Sequence, residues 1–249
     1  MPSPEPPKLL TPEPVSPAYQ HLNDGIAFGK KGQWDEAIKE FTKAIELDPK
    51  LADAYLFRSI AYEQKGFEYT NWGRILDALF DISRAIELDP KSSEAYARRA
   101  WLRTIQGDYK LASDDISKAF ELGLPTSSMY NTRAVLNERT GKVDAAISDY
   151  GKAIELSPNS SYLYYNRGYL YGQRQKTDLA LADFNKAIEL TPTRAVYYYM
   201  RAYYCYMVKS QWDLAIADLD KAIALSTDPS LTLRAKDQLA LAQKKKSGS

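Results

Sequence analysis

Apolar residues return every three or four positions at Ala37, Phe41, Ala44, Ile45 and Leu47, which predicts a helix over about 35–47 with one buried face. The stripe then recurs. Ala-Ile-Glu-Leu-Asp-Pro stands at 44–49 and 85–90, Ala-Ile-Glu-Leu-Ser-Pro at 153–158 and Ala-Ile-Glu-Leu-Thr-Pro at 187–192, with weaker copies at 119–124 and 222–227. The leading alanines, Ala44, Ala85, Ala119, Ala153, Ala187 and Ala222, are separated by 41, 34, 34, 34 and 35 residues. A fixed period of this size marks supersecondary units that bury their apolar faces against one another. Gly32 breaks a preceding helix over roughly 18–31, and Pro49 stops the second one. Each unit is therefore a helical hairpin, and the fold class is all-α, an α-solenoid.

The period divides the chain into six hairpins at about 18–51, 52–92, 93–126, 127–160, 161–194 and 195–229. A last amphipathic helix over 230–244, with Leu231, Ala235, Leu239 and Leu241 as its apolar positions, is expected to cap the final exposed face. Residues 245–249 read as a solvated tail. Residues 1–17 hold seven of the 13 prolines and read as a disordered extended segment, a linker or a ligand for a partner or for the chain's own groove. The second hairpin carries seven extra residues at 67–73, Phe-Glu-Tyr-Thr-Asn-Trp-Gly. They either lengthen both helices by a turn or form a loop presenting Phe67, Tyr69 and Trp72. Further departures are Pro125, one place late, Gln175 where a turn glycine is usual, and one extra residue near Lys209–Ser210.

Aligning the hairpins gives fixed residue types at fixed places. The early first-helix position reads His21, Tyr55, Tyr96, Tyr130, Tyr164 and Tyr198, and four residues later come Gly25, Ser59, Ala100, Ala134, Gly168 and Ala202. The second helix opens on Ala37, Ala78, Ala112, Ala146, Ala180 and Ala215, followed four residues on by Phe41, Ile82, Ile116, Tyr150, Phe184 and Leu219. Small residues let helices approach, and the larger ones fill the space beside them. This pattern resembles the tetratricopeptide repeat (TPR), over about residues 18–229. The resemblance implies a right-handed superhelix whose first helices line a concave groove, and a non-catalytic scaffold that binds a partner peptide or protein segment there.

By that register the groove is lined by Leu22, Asn23 and Ile26, then Leu56, Phe57 and Ile60, then Arg98 and Trp101, Asn131 and Val135, Tyr165, Asn166 and Tyr169, and Tyr199 and Tyr203. Eleven of the 19 tyrosines fall between 162 and 206, an amphipathic surplus suited to stacking and hydrogen bonding. Asn131 and Asn166 each offer a donor and an acceptor to a peptide backbone. Chaperone-binding members of the family hold a terminal carboxylate with Lys, Asn and Arg from successive first helices. Here the equivalent places include Leu22, Phe57 and Met200, so apolar or aromatic anchors are expected rather than a chaperone C-terminus. The alternative function is self-association through the insert or exposed aromatics, giving a monomer or a weak homo-oligomer.

A charge pair also repeats. The first helices carry Arg58, Arg99, Arg133, Arg167 and Arg201, with Asp24 in the first hairpin; the second helices carry Glu40, Asp81, Asp115, Asp149, Asp183 and Asp218. Pairing inside a hairpin would set Asp24 against Glu40. The reading preferred from sequence therefore joins each arginine to the acid of the preceding hairpin, Arg58–Glu40, Arg99–Asp81, Arg133–Asp115, Arg167–Asp149 and Arg201–Asp183, and leaves Asp218 to Arg234 or Lys236 of the cap. These pairs are expected to be structural glue.

Composition narrows the function further. With 33 basic and 32 acidic residues the chain has no basic face for nucleic acid. No apolar run approaches the roughly 18 residues of a membrane span, and there is no signal-peptide core. The lone Cys205 excludes an internal disulfide and a cysteine zinc cluster, and is expected to be buried; it fits a reducing compartment, hence a cytoplasmic location. The one histidine, His21, occupies a packing slot, and no phosphate loop or nucleophile motif is present, so neither an enzyme nor a cofactor or metal site is expected.

Overall fold

The computed structural model describes residues 16–68 and 72–248. Among them every regular element is helical: α1 (Pro17–Lys30), α2 (Trp34–Leu47), α3 (Ala52–Glu68), α4 (Trp72–Leu88), α5 (Ser93–Gln106), α6 (Tyr109–Leu122), α7 (Ser127–Arg139), α8 (Val143–Leu156), α9 (Ser161–Gln173), α10 (Thr177–Leu190), α11 (Ala195–Arg201), α12 (Trp212–Leu225) and α13 (Pro229–Ser247). This is the all-α helical-repeat solenoid read from the period. The chain divides into two compact units, one up to Leu102 and one from Arg103.

The core follows the repeated small and large residues. The six second-helix alanines, the six residues four places later and the six motif alanines are all at most 2% exposed. The small first-helix residue is equally dictated by packing: a Cβ on Gly25 would lie 2.5 Å from the Phe41 ring. Tyr55 and Tyr198 stay buried and turn their hydroxyls back to the carbonyls of Pro49 and Pro192, at 3.4 and 3.0 Å. Ser16 caps α1 by accepting the Tyr19 N–H. The helix turns use one left-handed residue each, at Gly32, Gly107, Gly141, Gln175 and Ser210, the last two at φ 58° and 55°.

Of the inserted stretch, Phe67 and Trp72 fall within α3 and α4, each 17 residues long against 14 in α1 and α2; Tyr69 lies outside the described residues. Both helices are thus lengthened. The proline-rich segment, too, lies outside the described residues up to 15. The extra residue of the last hairpin is not at Lys209–Ser210. It is absorbed by a π-helical turn over Ala202–Tyr206, where the Met207 N–H reaches back to the Ala202 carbonyl at 2.9 Å. At the C-terminus α13 runs past Lys244 through Lys245 and Lys246 to Ser247 rather than ending at 244, with Leu231, Ala235 and Ala242 buried. Leu241 faces outward.

The charge pairs close within hairpins, a correction to the sequence reading. Arg58 forks onto Asp81 at 2.7 and 2.8 Å, Arg133 onto Asp149 at 2.9 and 2.7 Å, Arg167 onto Asp183 at 2.8 Å twice, and Arg201 onto Asp218 at 2.7 Å twice. All four aspartates are buried, and the bidentate geometry satisfies both carboxylate oxygens. Aromatics flank the guanidinium, Tyr164 and Tyr171 about Arg167 at 6.0 and 5.9 Å for example. A remaining arginine nitrogen does reach the preceding hairpin, but to a small polar side chain: Arg58 to Thr42 at 3.1 Å, Arg99 to Ser83 at 3.5 Å and Arg201 to Asn185 at 2.6 Å. Asp115 takes Arg103 at 2.5 Å instead of Arg133. Glu40 is not met by Arg58: His21 Nδ1 lies 2.6 Å from one of its oxygens and the Lys43 ammonium 2.8 Å from the other. Arg234 stacks over Tyr199 at 5.8 Å and leaves Asp218 to Arg201.

Candidate functional site

The residues read as groove-lining sort by register. The position directly after the early aromatic is mostly core: Leu22, Leu56 and Tyr199 are buried, while Asn131 and Tyr165 are half-buried. The next position faces outward more, with Asn23 exposed and Phe57, Arg98 and Asn166 half-buried. Three places further, Ile26, Ile60, Trp101 and Tyr169 are half-buried, Val135 is buried and Tyr203 is exposed.

In the first unit, Arg98 has its charge engaged. Its Nε donates to Glu94 at 3.0 Å and Nη1 lies 3.6 Å from Glu63. Burial pushes the Glu63 carboxyl above the usual glutamate range, against the pull of Arg98 and of a Trp101 hydrogen bond. An anionic peptide terminus would compete with two acids already present.

The second unit carries the tyrosine-rich face on α9, α11 and the π turn that follows. Tyr165 packs on Tyr197 at 5.1 Å and on Phe184 at 6.3 Å. Tyr169 meets Tyr204 edge to face at 5.8 Å, Tyr204 meets Tyr203 likewise at 5.0 Å, and Tyr203 stacks on Tyr199 at 6.1 Å. Burial raises the Tyr165 and Tyr204 phenols to about 12, so they act as neutral donors and acceptors at physiological pH. Close approach of α9 and the π turn needs Gly172, whose Cβ would fall 2.6 Å from the Tyr204 ring. Many of the surplus tyrosines are thus used up in packing between hairpins; Tyr203, at 43% exposure, is the one most open to a partner among the groove positions.

Two side-chain amide atoms of the second unit are unpaired. Asn131 Oδ1 on α7 and Asn166 Nδ2 on α9 are buried and meet no hydrogen-bonding partner among the described residues. A buried polar atom left so costs about 1–3 kcal/mol. One is an acceptor and the other a donor, the complement of a peptide N–H and C=O.

The thiol of Cys205 is withdrawn from nucleophilic chemistry. Cys205 is buried inside the π turn, its thiol donates to the Thr177 carbonyl at 3.7 Å, and burial pushes it to about 12. Among the described residues no helix is long and apolar enough to cross a membrane.

Family models agree with the geometry. A TPR repeat model matches residues 25–66 and 139–174, and a tetratricopeptide repeat model matches 161–194. A search of curated protein sequences finds no match to this chain. Among solved structures the fold is similar to the APC/C hetero-tetramer Cut9-Hcn1, at 20% identity and a TM-score of 0.78; the match covers 90% of this chain and 42% of that one. It is similar to YrrB, a TPR protein with an unusual peptide-binding site, at 25% identity and a TM-score of 0.57, covering 79% and 97%. It is also similar to PilF of Pseudomonas aeruginosa, at 14% identity and a TM-score of 0.73, covering 89% and 97%. Residues 25–66 and 139–194 are thus matched tetratricopeptide repeats, set in an all-α helical-repeat solenoid similar in fold to solved TPR structures.

Proposed function

We propose that the protein is a non-catalytic scaffold that binds an extended segment of a partner protein on the first-helix face of its second unit. The pair of unsatisfied buried amide atoms, Asn131 Oδ1 and Asn166 Nδ2, carries this reading. They would pair with the partner's backbone, while Tyr203, Tyr169 and Tyr165 take an apolar or aromatic side chain. The peptide-binding site of the similar YrrB supports the class of ligand. The partner is not a chaperone-type terminal carboxylate: the equivalent first-helix positions in this unit are Asn131, Val135, Asn166, Val196 and Met200, which offer no cation.

Peptide-display selection on the immobilised full chain tests this, with Asn166→Ala/Tyr203→Ala as the comparison. A convergent motif that is lost in the variant, at unchanged thermal stability, is expected. Equal enrichment on both proteins would refute the assignment of the face.

Self-association has one observation in its favour. Leu76 and Phe80, one turn apart on α4, are 60% and 71% exposed, where the first hairpin has Asp35 and Lys39. If this patch joins two copies, light-scattering mass rises with concentration, and Leu76→Glu/Phe80→Glu abolishes the rise.

A further inference from the structure

The first hairpin departs from the others at two positions that meet in space. Elsewhere the first helix carries tyrosine and, three residues on, arginine; α1 carries His21 and Asp24. The second-helix acid is retained as Glu40. Where Arg58, Arg133, Arg167 and Arg201 neutralise their aspartates, this hairpin sets a second carboxylate and an imidazole beside the first. One ligand atom from each of His21, Asp24 and Glu40 lies within 4.8 Å of the other two, and among the described residues this is the one such group of three. The three side chains line an open cleft with Ala27, Phe28, Lys31 and Lys43.

We propose that His21, Asp24 and Glu40 form a site for a divalent transition-metal ion of the zinc class, the ion standing where the other hairpins place a guanidinium. His21 and Asp24 are one turn apart and share a face of α1, while Glu40 arrives from α2, so the donors come from two packed helices that fix their spacing. Metal–nitrogen and metal–oxygen bonds of about 2.0–2.2 Å put neighbouring donors of a tetrahedral ion roughly 3.3 Å apart. To reach that spacing His21 and Glu40 open from 2.6 Å while Asp24, whose side chain is exposed, swings in from within 4.8 Å. Lys43 holds one oxygen of Glu40 at 2.8 Å and leaves the other, which faces His21 Nδ1, for the ion. The proton between that oxygen and Nδ1 moves to Nε2 or to solvent on binding, so acid weakens the site. Three protein donors leave room for water, and imidazole with two carboxylates favours zinc, nickel or cobalt over magnesium or calcium. Lys31 and Lys43 offset part of the negative charge and limit the affinity.

Calorimetric titration of the untagged, chelator-stripped full chain with zinc, nickel and cobalt chlorides tests the site, with magnesium for comparison. Binding of one transition ion per chain, absent for magnesium, is expected. His21→Tyr and Asp24→Arg each restore the residue of the other hairpins and should abolish it without loss of thermal stability. Asp24→Asn, nearly isosteric, should weaken it at least about tenfold. His21 is the chain's one histidine, so His21→Tyr leaves no other imidazole. No zinc heat with the wild type, or binding equal in wild type, His21→Tyr and Asp24→Asn, would overturn the proposal.

Discussion

Replacing Arg167 with alanine tests the energetic frame of the hairpins. Arg167 donates through Nε and Nη2 to the two oxygens of Asp183, each at 2.8 Å, and the hydrogen-bonded carboxylate holds the guanidinium above its ordinary pKa against the opposing effect of burial. Asp183 is 5% exposed. Truncation removes both charge-assisted bonds and the stacking on Tyr164 and Tyr171, and leaves an ionised carboxylate in the core. Breaking one side of such a pair costs about 3–5 kcal/mol. Arg167 keeps partial contact with solvent, so water reaches the vacated space and the cost falls near about 3 kcal/mol. For a chain of this size that corresponds to a loss of roughly 6–12 °C in Tm.

The pairing itself is separable from the cost by double-mutant cycles in urea. Arg167→Ala with Asp183→Ala should show coupling of about 2 kcal/mol, since the second change removes the stranded charge. Arg167→Ala with Asp149→Ala should be additive within about 0.5 kcal/mol, because Asp149 is held by Arg133 and by Asn137 at 3.0 Å. Additivity with Asp183, or coupling with Asp149, would refute pairing within the hairpin.

Three further substitutions probe separate features. Glu63 has its folded pKa raised from the usual 4.5 by burial, so the folded state binds its proton more tightly than the unfolded state, and this group's contribution to stability falls as pH rises from about that value through the folded pKa; Glu63→Gln should flatten that part of the urea-midpoint profile and be the more stable protein at pH 7, while an unchanged slope would sink the account. Gln175 sits at φ 58°, so Gln175→Gly should relieve about 1–2 kcal/mol of left-handed strain, less about 0.5–1 for the glycine's added freedom, whereas Gln175→Ala should gain nothing. Gly172→Ala should cost about 1–3 kcal/mol by driving a methyl into the Tyr204 ring, and the penalty should vanish in a Tyr204→Ala background, as thermal melts would show.

The helices and their buried residues were legible because a period states directly which residues share an environment. Ala37, Phe41 and Ala44 recur in type at each hairpin, and all are buried. The partner of a recurring charge was not legible in this way. An acid one hairpin back and an acid in the same hairpin have the same period, so spacing cannot separate Arg167–Asp149 from Arg167–Asp183. The hairpin whose first helix lacks the arginine points the wrong way, since Asp24 and Glu40 would repel. The residues that resolve the conflict, His21 and Lys43, bond Glu40 from places no other hairpin uses for that purpose. The groove register was legible only in part: a residue directly after the early aromatic turns toward the core in α1 and α3 but less so in α7 and α9.

The displaced insertion links sequence count to surface. Gln175 and Ser210 take the same left-handed turn position 35 residues apart, so the last turn is conserved in form and the extra residue has to lie inside the preceding helix. The arginine sandwich fixes where. Arg167 is flanked by Tyr171, four residues on, but Arg201 by Tyr206, five residues on at 5.4 Å. The extra residue therefore lies between 201 and 206, within the π turn. A residue added there rotates the remainder of the helix by about 100°. Counted from either end, Tyr203 and Tyr204 both correspond to Tyr169. Tyr204 is spent on packing, edge to face with Tyr169. Tyr203 is left outside, held by Tyr199 and by the edge of Tyr204 but still 43% exposed. A single inserted residue thus keeps the buried arginine pair intact and adds one exposed aromatic ring to the face on which Asn166 lacks a partner.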